Sequence, residues 1–197
     1  MEKKLSKNWL VCCFVLFLLA VINVNRLLPY PQAKDMLIDM TPFLPSWKVQ
    51  REGIQTIPQG PLGRRQTTHT ATVTYESNEG SFTQAIYQFR NCSDSGKYYS
   101  QEVARLLSAS NLDDGWSVLP EVEYISTVAT HSDFVCNQTT FDPLMTECSY
   151  VAQYGVYIVE IQGRWLASSQ VDKRSLQEVL EEVDTKMSSW YRVCIPG

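Results

Sequence analysis

A histidine and two cysteines lie in one short run of the chain, HSDFVCNQTTFDPLMTECSYV, over residues 131–151. His131, Cys136 and Cys148 are of the side-chain types that bind zinc, and a cysteine or Ser132 next to a histidine is a candidate nucleophile with its base. In an oxidising compartment the same two cysteines would instead form a disulfide. The spacing of these residues and their side of a membrane decide among the three alternatives.

The spacing argues against a metal site and against a nucleophile. Four cysteines follow residue 30: Cys92, Cys136, Cys148 and Cys194. Their intervals contain no C-x₂-C pair and match no zinc pattern. His131 adjoins Ser132 on a predicted strand, so the two side chains point to opposite faces. We therefore predict no metal site, no cofactor and no catalytic residue.

The composition indicates one folded domain with accessory segments. The chain has 197 residues, of which 44% are hydrophobic and 19% are charged, and this balance is typical of globular proteins. The formal net charge is −4, and no run of the sequence is strongly basic. Because nucleic-acid binding relies on clustered Lys and Arg, we exclude nucleic acid as a partner.

The N-terminus predicts a membrane anchor. The strictly apolar residues 10–22 have the length of a signal peptide, and the longer stretch 9–28 approaches the ~20 residues needed to span a bilayer. Lys3, Lys4 and Lys7 precede the run and only Arg26 lies near its end, which places the N-terminus in the cytoplasm. No A-x-A cleavage pattern follows the apolar residues, so we favour an uncleaved signal anchor over a cleaved signal peptide.

This anchor gives a predicted organisation for a single-pass protein of the cell membrane. The chain divides into a cytoplasmic tail (1–8), a transmembrane signal anchor (9–28), a Pro-rich stalk (29–45) and an extracytoplasmic α+β domain (46–197). The four cysteines beyond the anchor would then lie in an oxidising compartment and form disulfides.

The cysteine spacing favours one pairing. Cys136 and Cys148 are twelve positions apart, with Asp142 midway in a Phe-Asp-Pro turn. A hairpin centred on this turn would place the two cysteines opposite each other on antiparallel strands, within the reach of a disulfide. Cys92 and Cys194 would form the second bond, which would tie the end of the chain to the domain.

The residue patterns predict an α+β fold. THTATVTYE (68–76) and FTQAIYQF (82–89) alternate with the period of a strand, and ESNEGS between them predicts a hairpin. Residues 91–111 and 171–194 each carry one apolar stripe at helical spacing. Three further strand-like runs, of which the first is weak, lie at 116–130, 132–138 and 145–162. The order is ββαβββα: a mainly antiparallel sheet flanked by two helices, with one further strand near Trp47 as an option.

Aromatic and acidic residues give further candidates. Five tyrosines are candidates for a ligand groove, although core packing is the stronger interpretation: Tyr98, Tyr99, Tyr150, Tyr154 and Tyr157. Asn91 and Asn137 begin glycosylation sequons. Asp133 and Glu160 are single strand carboxylates without an evident partner, and Asp184 belongs to an acidic group that we expect to be solvated.

The order of these elements resembles a family. A "YQF" strand before an amphipathic helix, Trp116 after it, then SDFVC, ECSYVAQYGVYIVEI and a final helix resemble PsbP-like α/β/α sandwich domains over about residues 46–193. This group includes bacterial surface lipoproteins and a kinase sensor domain. The chain departs from the lipoproteins in lacking a lipidation cysteine, and from the kinase in having only an eight-residue predicted cytoplasmic tail.

The resemblance implies a binding, sensing or assembly role. We therefore predict a non-catalytic extracytoplasmic domain that binds a small ligand, or a protein partner in a membrane complex. A hydrolase-like extracytoplasmic enzyme is the alternative, and it would need titratable side chains that converge in a deep cleft.

Overall fold

A computed structural model describes residues 31–55, 67–109, 116–118, 123–139, 144–169, 171 and 173–189. The strands are β1 (Lys48–Gln55), β2 (Thr67–Ser77), β3 (Gly80–Phe89), β4 (Trp116–Val118), β5 (His131–Thr139), β6 (Met145–Tyr154) and β7 (Tyr157–Leu166). The helices are α1 (Cys92–Ala109), α2 (Lys173–Ser188) and a 3₁₀ helix at Ala33–Met36.

The strands form a single antiparallel sheet in the order β1-β2-β3-β7-β6-β5-β4, with β1 and β4 at its edges. The α+β class, the antiparallel sheet and the two helices are confirmed. The observed order has two strands more than ββαβββα. The optional strand near Trp47 forms β1, and Gly155 divides the run 145–162 into β6 and β7.

Gly155 makes this division possible. It lies in the two-residue turn between Tyr154 and Tyr157 and has a φ of 62°, in the left-handed region that favours glycine. The turn brings β7 back along β6 near the centre of the sheet, where most residues of both strands are buried.

The helices lie on opposite faces of the sheet. On what we call the α2 face, Leu180 and Val183 of α2 belong to one core cluster with Tyr150 and Val159 of the strands. On the α1 face, Tyr98 of α1 packs with Phe89, Val151 and Ile158. Because neighbouring residues of a strand point to opposite faces, β6 and β7 supply both clusters.

The structure differs from the predicted stalk over 29–45. Within residues 32–47, six apolar side chains are buried against the α2 face: Ala33, Met36, Ile38, Met40, Leu44 and Trp47. Met36, Ile38 and Met40 alternate with residues that are less buried, so this segment packs as an extended layer over the sheet. The compact unit begins at Gln32 and not near Ser46.

The predicted anchor over 9–28 lies outside the described residues. Within the ranges given above, no helix is long and apolar enough to cross a membrane.

Candidate functional site

Residues 131–151 contribute β5 and most of β6. Cys136 lies directly opposite Cys148 in the register, as the twelve-residue spacing predicts, and a disulfide joins them with their Cα atoms 4.1 Å apart. Both cysteines are buried. Cys92 is also disulfide-bonded, and its predicted partner, Cys194, lies outside the described residues.

His131 lies at the exposed start of β5, where its ring stacks on Tyr99 at a centroid distance of 5.5 Å. Tyr99 in turn donates a hydrogen bond to Asp133, two residues after His131. Ser132 points to the other face, where its hydroxyl accepts a hydrogen bond from the Ser126 backbone N–H. His131 therefore shares a face with a carboxylate and a phenol, but not with Ser132.

The five candidate tyrosines do not line one groove. Tyr150, Tyr154 and Tyr157 are at most 2% exposed on the α2 face, whereas Tyr98 and Tyr99 belong to α1 on the other side of the sheet. Four of the five are therefore buried and Tyr99 is half-buried. Hydroxyl hydrogen bonds within the protein are made by Tyr98, Tyr99, Tyr150 and Tyr154.

Asp184 is the centre of a hydroxyl network on the α2 face. This carboxylate of α2 is 7% exposed and accepts hydrogen bonds from Tyr154 (2.5 Å), Ser126 (2.7 Å) and Tyr124 (2.8 Å). Tyr150 hydrogen-bonds to Tyr154 at 2.9 Å. Burial raises the pKa of Tyr154, so its hydroxyl keeps the proton that it donates. The prediction that Asp184 is solvated is wrong.

The sequence contains a signal for this network. Asp184 follows Leu180 by four residues and precedes Met187 by three, so it lies on the apolar stripe of α2 and not on its polar face. A carboxylate on an apolar stripe needs buried hydrogen-bond donors. Tyr154 of β6 supplies one, and Tyr124 and Ser126, which precede β5, supply the others.

Glu160 is a second buried carboxylate, on the α1 face of β7. It is 7% exposed and accepts hydrogen bonds from Tyr98 (2.9 Å) and Tyr87 (3.3 Å). Burial raises the pKa of Glu160 and the charge of Glu102 adds to the rise, whereas the two hydrogen bonds and the nearby charge of Arg105 oppose it. The α1 helix covers the carboxylate, which leaves it no open cleft.

Replacement of Glu160 by glutamine is expected to flatten the pH dependence of stability. A carboxyl group with a raised pKa binds its proton more tightly in the folded state, so its contribution falls as the pH rises from the ordinary value of 4.5 through the raised pKa. When urea unfolding is measured from pH 4 to pH 8, the free energy of unfolding should therefore fall more with rising pH for the natural chain than for Glu160→Gln. The exposed Glu147→Gln serves as the control, and parallel profiles for all three proteins would contradict the prediction.

An open groove lies at the β1 edge of the α2 face. Its volume is about 640 Å³. Residues 34–41 form one wall, β1 forms the other from Val49 to Gly53, and Val73 and Tyr75 of β2 lie at the floor. This volume is in the range of ligand sites in proteins.

Two side chains of the sheet hold the wall formed by residues 34–41. The Gln84 side chain accepts a hydrogen bond from the Ile38 backbone N–H at 3.1 Å. The Tyr75 hydroxyl accepts one from the Met40 N–H at 3.2 Å and donates one to the Ile38 carbonyl at 3.3 Å. All these contacts are buried, so the groove is formed before anything binds in it.

No protein-family model matches the chain, and no curated protein matches it in sequence. Among solved structures, the chain is similar to the extracellular domain of PknH from Mycobacterium tuberculosis, with a TM-score of 0.53 and 6% identity over 82% of this chain and 96% of that one. A putative uncharacterized protein of Mycobacterium smegmatis matches with a TM-score of 0.39 and 13% identity, over 81% and 100% of the two chains.

The likeness to the PknH domain is one of fold alone. It agrees with the resemblance to bacterial extracytoplasmic domains that the order of elements predicts, and the wider PsbP-like resemblance stays a prediction.

The two sequons differ in accessibility. Asn91 is exposed and caps α1, because its Oδ1 accepts from the Asp94 N–H at 2.9 Å and its Nδ2 donates to the Asp94 carboxylate at 2.8 Å. Asn137 is half-buried within β5, between Val118 of β4 and Glu147 of β6. Of the two, Asn91 is the better placed to carry a glycan, and glycosylation itself stays a prediction.

Within the described ranges, no group of three His, Cys, Asp or Glu side chains could hold a metal ion. The two buried carboxylates instead bind tyrosine and serine hydroxyls that belong to the fold. The groove at β1 is therefore the candidate functional site.

Proposed function

We propose that the chain is a non-catalytic extracytoplasmic binding domain, held at the cell membrane by the predicted anchor, that contacts a partner protein of a membrane complex through the groove. The groove carries this proposal, because it is open and its wall is held in place before binding. A preformed site avoids part of the entropic cost of association.

The chemistry of the groove favours binding over catalysis. Asp35 accepts a hydrogen bond from the Gln32 backbone N–H, and Asp39 accepts two from Thr41, so these carboxylates support the wall that they belong to. Val49 at the rim is 45% exposed, although large apolar side chains are mostly covered in this fold. Together with Leu37, Val73 and the ring of Tyr75, Val49 gives the groove an apolar lining, which is typical of binding sites.

A photoreactive benzoylphenylalanine at position 49 tests this function in intact membranes. We expect Val49→benzoylphenylalanine to give one discrete covalent adduct with a partner protein after irradiation. The matched control is the same substitution at Ile125, which is 80% exposed and does not line the groove. Absence of an adduct at position 49, or the same adducts from both positions, would refute the proposed function.

A further inference from the structure

We propose that the occupant of the groove is an extended, basic polypeptide segment of the partner, in which apolar and basic side chains alternate. This inference rests on the proposed function of the groove and adds the chemical class of what binds there. Its support comes from the shape, the charge and the floor of the groove.

The shape fits an extended chain. The wall from Val49 to Gly53 spans ~13 Å at the rise of a β-strand, which matches a segment of about five residues. Residues 34–41 form the opposite wall, so the segment would run along β1 over the floor of the groove.

The charge of the groove selects a basic partner. Among the described residues that line it, Asp35, Asp39 and Glu52 carry carboxylates and Lys34 carries an ammonium group. Hydrogen bonds from Thr41 lower the pKa of Asp39, so this carboxylate stays ionised in mildly acid surroundings.

Two of the groove carboxylates lie near the Tyr75 hydroxyl and favour its protonated form. Burial raises the pKa of Tyr75, the hydrogen bond from the Met40 N–H lowers it, and the negative charges of Asp39 and Glu52 raise it. Both carboxylates therefore act on the interior of the groove and not only on the solvent outside it.

The apolar floor favours a segment in which apolar and basic side chains alternate. Val73 and the ring of Tyr75 lie beneath the groove, and Leu37 and Val49 add apolar surface on its two walls. Successive side chains of an extended segment point to opposite sides. One set of alternate side chains would therefore pack on the apolar floor, while the other set reaches the carboxylates at the rim.

A defined peptide tests the inference in solution. The probe is a fluorescein-labelled heptapeptide of alternating valine and lysine, titrated with the full-length chain in detergent micelles and followed by fluorescence anisotropy. We expect saturable binding that weakens as salt is raised, and no binding of the matched peptide of alternating valine and glutamate.

Three variants locate the binding. Val49→Trp is expected to abolish it, because Val49 lies opposite Tyr75 in the sheet register, on the face of the groove floor, and the larger side chain would fill part of the groove. Glu52→Lys is expected to weaken it about tenfold through loss of a rim charge pair and added repulsion. Glu147→Lys makes the same charge change at an exposed position outside the groove and should bind as the natural chain does.

Two results would overturn the inference: undiminished binding to Val49→Trp, or equal losses for Glu52→Lys and Glu147→Lys. Its failure is distinguishable from that of the proposed function. If Glu52→Lys still forms the covalent adduct at position 49 in full yield, the basic segment is refuted and the groove remains a binding site. If no adduct forms at position 49 in the natural background, the binding site itself is refuted.

Discussion

Replacement of Asp184 by alanine is expected to lower the free energy of unfolding by about 3 kcal/mol or more. The variant removes the acceptor of three hydroxyl hydrogen bonds and leaves Tyr154, Ser126 and Tyr124 to find other partners in a buried site. Hydrogen bonds to a charged acceptor contribute about 1.5–3 kcal/mol each, and their losses do not add fully because the donors share one carboxylate. Urea unfolding of the natural chain and the variant measures the difference.

The effect should be specific to the network. Glu182→Ala removes an exposed carboxylate of the same helix and is expected to change the stability by less than about 0.5 kcal/mol. The Ser126 hydroxyl also accepts the backbone N–H groups of Val128 and Ala129, so amide exchange at these two residues should accelerate in Asp184→Ala. Equal losses for the two variants, with unchanged exchange, would show that Asp184 does not hold this loop.

The sequence predicts the parts of this fold that local periodicity determines. The hairpin of β2 and β3, both helices and the opposition of Cys136 to Cys148 follow from alternation, apolar stripes and loop symmetry. Each of these signals lies within about twenty residues of chain. They are reliable because one face of each element must be buried.

The N-terminal segment shows where local reasoning fails. Its prolines favour an extended chain, and the structure shows an extended segment. The alternate apolar residues Met36, Ile38 and Met40 are buried only because this segment packs against the sheet. That sheet comes from residues more than thirty positions later, among them Tyr75 and Gln84, which bond to the backbone of Ile38. The groove depends on this long-range contact, so sequence reasoning did not find it.

The buried carboxylates were missed for a different reason. Glu160 interrupts the apolar run YIVEI, which forms a central strand buried on both faces, and Asp184 interrupts a helical stripe. An acidic residue is normally assigned to solvent because burial of its charge is costly. The high tyrosine content offsets that cost here: Tyr98 and Tyr154, predicted as ligand-groove candidates, are donors to these two carboxylates.

Replacement of Gly163 by alanine is expected to destabilise the domain by about 2–3 kcal/mol, because the α2 face has no room for a methyl group at this position. A Cβ atom there would lie 2.3 Å from Cε1 of Phe82, the residue directly opposite on β3. The ring of Phe82 is stacked on Trp165 at 5.0 Å and meets the edge of Trp47 at 5.2 Å, so it is confined on two sides. Thermal or urea unfolding measures the loss.

Two further variants distinguish steric overlap from a general effect of losing glycine in a strand. Gly53→Ala makes the same substitution where a Cβ atom meets nothing, and it should leave stability unchanged or raise it by a few tenths of a kcal/mol. Phe82→Leu removes the obstructing ring, so in a double-mutant cycle Gly163→Ala should cost less in the Phe82→Leu background than in the natural one. A cost that stays the same in both backgrounds would refute the overlap. A smaller cost in the Phe82→Leu background would show that Phe82 needs the space left by the missing side chain of Gly163. In that space the Phe82 ring contacts both Trp165 of the sheet and Trp47. Trp47 belongs to residues 32–47, which pack on the α2 face and include a wall of the groove.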